Sequence, residues 1–218
     1  MLKSVIEIPN NPEQMIVFLH GYGADANDLA GLFPCYKNDF PNAILVSVES
    51  PFPCEVFPSG REWYPLNDTM RLAFHTQNKT QINAVLLETK DKREFALKQV
   101  EKTIKDLAEK HKISLKNIII TGFSQGAGIA LAISQLMEIG GVVSFSGLLF
   151  PPFNGDCPLL AFHGTADSVL PFSYAESVKN EIEKVRELEF ISMPNTDHTM
   201  PMDAITKSIE WIKKINGE

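Results

Sequence analysis

The chain of 218 residues lacks the features by which several classes of protein are recognised. No apolar run comes near the roughly 18 residues that mark a membrane-spanning helix, and the start carries no signal-peptide pattern. Its three cysteines, Cys35, Cys54 and Cys157, are odd in number and without C-x-x-C spacing, which favours a reducing compartment over a disulfide framework or a zinc site. We therefore expect a cytoplasmic protein with no membrane insertion, no metal and no cofactor.

Positive charge is also scarce. The 20 lysines and arginines face 27 aspartates and glutamates, which gives a net charge of −7 and argues against a nucleic-acid partner. The apolar fraction of 44% and the charged fraction of 22% are those of an ordinary soluble globular protein, and the length suffices for a full core. Because repeats and linkers are absent as well, we predict one domain over residues 1–218.

What the chain does contain is a regular alternation of strand and helix patterns. Apolar or β-branched runs predict strands at residues 2–8 (an edge strand), 15–19, 43–48, from 117 to the turn at Ser124, 141–147, 157–163 and 188–193. Helical patterns cover residues 27–33, 94–111, the run after Ser124, 173–185 and 203–215. This order predicts an α/β fold with a mostly parallel central sheet and helices on both faces.

Residues 50–90 interrupt this alternation. Regular elements are opposed there by prolines and asparagines, namely Pro51, Pro53, Pro58, Pro65, Asn67, Asn78 and Asn83. A connection of this length is usually functional or mobile, so we predict an irregular loop or flap. Its aromatic residues Trp63, Phe57 and Tyr64 are candidates for an apolar substrate pocket, and an open alternative is that they only pin the loop to the domain.

A G-x-S-x-G pattern joins a strand run to a helix run at Gly122-Phe123-Ser124-Gln125-Gly126. In a nucleophile elbow the serine occupies a sharp, strained turn, and the flanking glycines are needed because a Cβ would clash with neighbouring backbone. The helix that follows would aim the amide of Gln125 at a developing oxyanion. The strand before and the helix after favour this interpretation over an ordinary turn in which Ser124 only caps the helix.

Two further side chains complete a candidate catalytic set. Functional residues of a parallel sheet gather at the carboxyl ends of its strands, and Ser124, Asp167 and His198 each follow a predicted strand. Their order along the chain is that of the α/β-hydrolase triad. His20 and His163 lie in strand-end turns, which favours structural imidazoles, and for Asp167 the capping of the next helix remains an alternative.

Five stretches that span nearly the whole chain resemble one known family, at residues 18–23, 60–64, 122–126, 163–171 and 198. They are similar to the phospholipase/carboxylesterase branch of the α/β-hydrolases, which includes the acyl-protein thioesterases. The resemblance implies triad roles for Ser124, Asp167 and His198, and it implies that the second oxyanion amide is that of Tyr22. The Thr196-Asp197 pair departs from the glycine that is usual before the histidine.

These features together predict a serine hydrolase that cleaves carboxylic esters or thioesters through an acyl-enzyme on Ser124. Only residues 148–158 separate the two strands between which a cap domain is commonly inserted, so we predict no cap and an open groove for short to medium acyl chains. The partner would be a small-molecule ester or thioester, with a lipid or an acylated protein as open alternatives, and no particular oligomeric state is predicted. Two other functions stay open: a specialist acyl-protein thioesterase or lysophospholipase, and a non-catalytic binding protein of the same fold.

Overall fold

A mostly parallel sheet runs through the centre of this computed structural model, which describes residues 1–217 except for the side chain of residue 79. The strands are β1 (Ser4–Glu7), β2 (Gln14–Leu19), β3 (Ala43–Val48), β4 (Phe52–Pro53), β5 (Arg61–Glu62), β6 (Ile118–Phe123), β7 (Gly141–Phe145), β8 (Leu159–Gly164) and β9 (Glu189–Met193). Seven of these described strands form the sheet in the order β1-β3-β2-β6-β7-β8-β9, with β1 antiparallel to β3 and the other pairs parallel. Strands β4 and β5 form a separate antiparallel pair.

Helices cover both faces of the sheet. The α-helices in the described residues are α1 (Ala26–Ala30), α2 (Phe33–Lys37), α3 (Asp68–His75), α4 (Lys79–Glu88), α5 (Lys90–His111), α6 (Gln125–Ile133), α7 (Phe172–Ile182) and α8 (Met202–Asn216). The apolar residues of α5 and α6 belong to one buried cluster, and those of α1, α2 and α8 belong to a second. The predicted α/β fold, with helices on both faces of a mostly parallel sheet, is confirmed.

Strand β2 shows how a single strand contributes to both clusters. Successive side chains of a strand point to opposite faces, so Met15, Val17 and Leu19 pack with α5 and α6, whereas Ile16 and Phe18 pack with α2 and α8. All five side chains are fully buried. A strand that is covered on both sides must be apolar at every position, which is why this run carries no alternation of polar residues.

The prediction of an irregular segment over residues 50–90 is wrong for its second half. Helices α3 and α4 lie there, and α5 begins at Lys90. Two of the asparagines start these helices, because Asn67 Oδ1 accepts a hydrogen bond from the Met70 amide (2.9 Å) and Asn78 Oδ1 accepts one from the Gln81 amide (3.1 Å). Residues 50–67 remain largely irregular, with only the short pair β4 and β5.

The carboxyl edge of the sheet is left open by short connections. Residues 146–158 join β7 to β8 without a helix or strand among the described residues, as the prediction of no cap domain requires. Strand β8 is followed by a short turn and then α7, and β9 is followed by a loop and then α8. The candidate residues lie in these turns and loops. No helix within residues 1–217 is both long and apolar enough to cross a membrane.

Candidate active site

Ser124 occupies a strained turn between β6 and α6. Its backbone lies at φ 52° and ψ −115°, a region that residues with a side chain rarely adopt. A Cβ at Gly122 would stand 2.5 Å from Ala127 Cα, and a Cβ at Gly126 would stand 2.1 Å from the Leu19 carbonyl oxygen. These distances confirm the steric reason for both glycines, and the Ser124 side chain makes no capping hydrogen bond to α6.

His198 lies between the serine and a carboxylate. Its ring Nε2 is 2.9 Å from Ser124 Oγ, and its Nδ1 is 2.8 Å from Asp167 Oδ2. A carboxylate can only accept, so the Nδ1 proton is donated to Asp167, and this leaves Nε2 of a neutral ring to accept from the serine hydroxyl. The structure thus brings the three residues singled out from the sequence into one hydrogen-bonded chain.

Asp167 is held by both of its oxygens. Oδ2 faces His198, while Oδ1 accepts the amides of Val169 (2.9 Å) and Leu170 (2.7 Å). Helix α7 begins only at Phe172, so Asp167 closes its own turn and does not cap that helix. Burial raises the pKa of Asp167, but the hydrogen bonds from His198 and the Leu170 amide outweigh burial and hold the pKa below its ordinary 3.8.

Asp197 ties the histidine loop to the aspartate loop. Its Oδ1 accepts from the amide and the hydroxyl of Ser168, each at 2.8 Å, and from the backbone amide of His198 at 2.7 Å. These bonds, first that from the Ser168 amide, lower the pKa of Asp197. Sequence reasoning left the departure at Thr196-Asp197 as an open point, and the structure gives Asp197 a supporting role in the loop.

His20 and His163 are buried and bonded to backbone, as expected of structural imidazoles. The Ser50 amide donates to His20 Nε2 (3.1 Å), and His20 Nδ1 therefore donates to the Gly21 carbonyl (2.7 Å). His163 Nε2 donates to the Leu170 carbonyl (2.8 Å) and lies 3.4 Å from Asp167 Oδ2, a proximity that the sequence did not predict. Burial lowers the pKa of both imidazoles.

The two candidate oxyanion amides belong to neighbouring pieces of backbone. Gln125 is the first residue of α6, so its N–H has no acceptor within the helix. Tyr22 lies in the turn after β2, and the backbone just before that turn touches the elbow so closely that any side chain at Gly126 would clash with the carbonyl oxygens of Leu19 and His20. The predicted roles of Tyr22 and Gln125 stay predictions.

The aromatic candidates divide by exposure. Trp63 and Tyr64 are 0% and 1% exposed, and the Trp63 indole N–H donates to the His20 carbonyl (2.8 Å). Phe57 is 49% exposed and packs edge-on against Tyr22. Burial of Trp63 in the core fits the alternative that it pins the segment, while Phe57 lies near the surface beside Tyr22. Contact with substrate stays a prediction for all three.

Two of the cavities among the described residues lie near α4 and away from Ser124, Asp167 and His198. One of about 650 Å³ is lined by residues of α4, α5 and α6 together with Tyr64 and Phe150, and one of about 450 Å³ lies between α4, α7 and the loop around Phe150. Neither is lined by Ser124, Asp167 or His198. Among the described side chains, no group of three or more His, Cys, Asp or Glu is arranged to hold a metal ion.

Sequence reasoning missed the side chain of Gln125. Its Oε1 accepts from the Trp63 amide (2.8 Å) and its Nε2 donates to the Tyr64 carbonyl (2.7 Å), across separations of 62 and 61 residues in the chain. In the sequence this segment is marked by the family resemblance at residues 60–64 and by its aromatic residues Trp63 and Tyr64.

A serine at positive φ directly after the central strand of a mostly parallel sheet, followed in chain order by an acid and a histidine, is the arrangement of an α/β-hydrolase of the serine-hydrolase class. The model of the phospholipase/carboxylesterase family matches residues 2–216, and the chain belongs to that family. Membership of this family identifies the chain as a hydrolase of esters or thioesters.

Individual relatives agree with this assignment. The chain is 29% identical to acyl-protein thioesterase 1 of Candida albicans over 247 aligned positions, which cover 99% of each chain. Among solved structures it is similar to esterase PE8, with a TM-score of 0.82, 24% identity, and coverage of 98% and 99% of the two chains. A carboxylesterase of Bacillus cereus has a TM-score of 0.77 at 18% identity, with 99% and 95% covered. The last two likenesses show the shared fold.

Proposed function

We propose that this chain hydrolyses carboxylic esters and thioesters of short to medium acyl groups through an acyl-enzyme on Ser124. The observation that carries the proposal is the continuous hydrogen-bonded chain from Asp167 through His198 to Ser124, with distances of 2.8 and 2.9 Å. A serine hydroxyl is a weak nucleophile until a base takes its proton, and a neutral Nε2 at this distance is suited to that task.

Acylation begins with the attack of Ser124 Oγ on the acyl carbon. His198 accepts the hydroxyl proton at Nε2 and becomes an imidazolium, which the Asp167 carboxylate stabilises through Nδ1–H. His198 then gives the proton to the leaving alcohol or thiol. Asp167 is suited to this part because its pKa lies below the ordinary value, which keeps it ionised throughout the neutral range.

The amides of Tyr22 and Gln125 would face the negative charge that develops on the acyl oxygen. Each donor of this kind typically contributes about 10²–10³ in rate, because it is already aimed when the charge appears. Deacylation repeats the sequence with water in place of the serine, and His198 acts as the base for that water.

The range of substrates follows from the openness of the site. The connection from β7 to β8 carries no cap within the described residues, and Val169, two residues after Asp167 in the chain, is 46% exposed. Few protein groups are therefore available to enclose a long acyl chain of the substrate or to select one leaving group. The likeness to a fungal acyl-protein thioesterase supports thioesters as substrates beside simple esters.

The decisive experiment replaces the nucleophile. Ser124→Ala should fold, lose covalent labelling by a fluorophosphonate, and lose hydrolysis of p-nitrophenyl butyrate and butyryl thioester down to the background rate. A matched control is Ser134→Ala, directly after the last residue of α6, where the hydroxyl donates to the Leu131 carbonyl (2.7 Å) and accepts from the Arg186 guanidinium (3.4 Å). That variant should keep labelling and turnover.

Two outcomes would contradict the proposal. Turnover that survives in Ser124→Ala would remove this serine from the mechanism. A wild-type protein that binds esters without labelling or turnover would make the chain a non-catalytic binding protein of the hydrolase fold.

A further inference from the structure

A short segment outside the main sheet, residues 61–64, touches the backbone loop that carries the Tyr22 amide. The Gly23 amide donates to the Arg61 carbonyl (2.9 Å), and the Arg61 amide donates to the Ala24 carbonyl (2.8 Å). Two residues further, the Trp63 indole N–H donates to the His20 carbonyl (2.8 Å). Three hydrogen bonds therefore fix residues 20–24 to this segment, on both sides of Tyr22.

The same segment is fixed to the start of the elbow helix by the side chain of Gln125. The carboxamide accepts from the Trp63 amide (2.8 Å) and donates to the Tyr64 carbonyl (2.7 Å), so both ends of one side chain hold consecutive residues of backbone. The backbone amide of Gln125 itself is the other proposed oxyanion donor. Residues 61–64 thus contact both halves of the proposed oxyanion hole.

The side chains that make these hydrogen bonds, and the ring of His20, are fully buried. His20, Trp63 and Gln125 are each 0% exposed. The carboxamide satisfies two backbone groups that lie outside the main sheet, where water cannot replace a lost partner. The carboxamide is held at two atoms, because it accepts from the amide N–H of one residue and donates to the carbonyl of the next. These two bonds fix both the position and the orientation of the Gln125 side chain relative to residues 63 and 64.

From these contacts we infer that residues 61–64 form a bridge that sets the spacing of the Tyr22 and Gln125 amides, with the side chains of Trp63 and Gln125 as positioning residues for the reaction. The inference rests on the proposed function, because spacing of the amides affects rate only if they bind the oxyanion. Neither side chain touches the reacting atoms. Their effect passes through the backbone of residues 20–24 and of the first turn of α6.

The test removes the bridge and keeps both amides in the chain. Gln125→Met preserves the length of the side chain and loses both of its hydrogen bonds. Trp63→Phe loses the indole bond to the His20 carbonyl and part of a buried ring, and it keeps the backbone groups that Gln125 binds. In each variant kcat for p-nitrophenyl butyrate should fall about 10- to 100-fold, less than the 10²–10³ expected for removal of a donor, with KM changed by no more than about threefold. Such a split marks an interaction made in the transition state.

A second measurement separates positioning from loss of stability. An alkyl trifluoromethyl ketone adds to the serine and puts a charged oxygen between the two amides, so its inhibition constant should rise in parallel with the loss in kcat/KM. Tyr36→Phe serves as the control, because it removes a buried hydrogen bond to Ser208 (2.8 Å) on the opposite face of the sheet. It should lower the melting temperature and leave both kcat and ketone affinity unchanged.

Each outcome decides the matter. If both variants have a lower melting temperature but keep kcat and ketone affinity within about twofold of the wild type, the bridge is only structural and the inference fails. If Gln125→Met does not fold, Trp63→Phe carries the test alone. Loss of turnover in Ser124→Ala together with unchanged kcat in Trp63→Phe and Gln125→Met would leave the proposed function intact and overturn only the bridge. Full activity in Ser124→Ala would overturn the proposed function first.

Discussion

Two aspartates lie within hydrogen-bond reach of His198, and they contact different atoms. Asp167 accepts from the ring Nδ1, whereas Asp197 accepts from the backbone amide and shares its oxygen with Ser168. Asp167 has a fully buried side chain, and Asp197 is exposed. The buried one can stabilise an imidazolium because little water screens it, while the exposed one can only hold the loop.

Amide substitutions should therefore separate the two acids. Asp167→Asn should lower kcat by about 10⁴, because a neutral amide neither stabilises the imidazolium nor keeps the proton on Nδ1. Asp197→Asn should lower it by less than about tenfold, since the amide oxygen can still accept from Ser168 and His198. The measurement is kcat for one short-chain ester at pH 7.5. Equal losses of kcat in the two variants would contradict the assignment of Asp167 as the carboxylate that orients the histidine ring.

At the scale of single residues, the sequence predicted which side chains of the candidate site lie together. It did not predict the hydrogen bonds that hold the surrounding backbone. Ser124, Asp167 and His198 could be brought together because each follows a strand of a parallel sheet, and strand ends meet at one edge. Nothing comparable relates Gln125 to Trp63, since a hydrogen bond between a side chain and distant backbone leaves no periodic pattern. Such contacts depend on the final packing of a segment that has almost no regular structure.

At the scale of elements, the sheet was predictable because burial on both faces demands continuous apolar runs. The run at residues 43–48 corresponds residue for residue to β3, and residues 15–19 fall within β2. Predicted ends elsewhere differ by a few residues: β7 ends at Phe145, before the turn residues Ser146 and Gly147 that the pattern included. A change from strand to turn is set by backbone bonding and not by hydrophobicity.

Helices α3 and α4 were missed because the same residue types both break and begin helices. Asn67 and Asn78 oppose a helix in its interior yet favour its first residue, and only the following apolar positions distinguish the cases. Met70, Ala73 and Phe74 of α3 are buried at helical spacing. Helix α4 presents Leu87 at 75% exposure and buries Val85, so its amphipathic pattern is weak.

At the scale of the whole molecule, two buried imidazoles link stability to pH. Burial lowers the pKa of His20 and His163 below the ordinary 6.5, so the unfolded chain binds protons at these positions at a higher pH than the folded chain. Their contribution to stability is full above pH 6.5, and it is lost as the pH falls from there through the lowered folded-state values. Glu62, whose pKa burial raises above 4.5, acts in the opposite sense.

We therefore expect the free energy of unfolding to fall between pH 7.5 and 5.5, by up to about 1.4 kcal/mol per pH unit for each histidine. Urea titrations across this range measure the slope. His163→Gln keeps a donor for the Leu170 carbonyl and removes the titration, so its slope should be shallower than that of the wild type. Since Glu62 is common to both proteins, the difference isolates His163, and identical slopes would contradict the argument.

The dependence of rate on acyl length tests the architecture as a whole. The site carries no cap within the described residues, and the cavity of about 650 Å³ between α4, α5 and α6 is not lined by Ser124, Asp167 or His198. Methylenes beyond the reach of exposed apolar groups such as Phe57 and Val169 would stay in water, each losing about 0.8 kcal/mol of burial. On p-nitrophenyl esters, kcat/KM should peak at short to medium chains and fall for long ones.

A cavity-filling variant makes this last prediction sharper. Ala132 lines the cavity of about 650 Å³, so Ala132→Phe would fill part of it without touching the triad. If acyl chains lie in the open groove, the variant should give the same chain-length profile as the wild type, for p-nitrophenyl esters and for the matching thioesters. The contrary result has two parts: the wild-type kcat/KM rises steadily up to palmitoyl esters, and Ala132→Phe lowers kcat/KM for long acyl chains alone. That result would place the acyl chain in this cavity. The molecule would then be a long-chain specialist, because only an enclosed wall can keep adding burial free energy with each methylene.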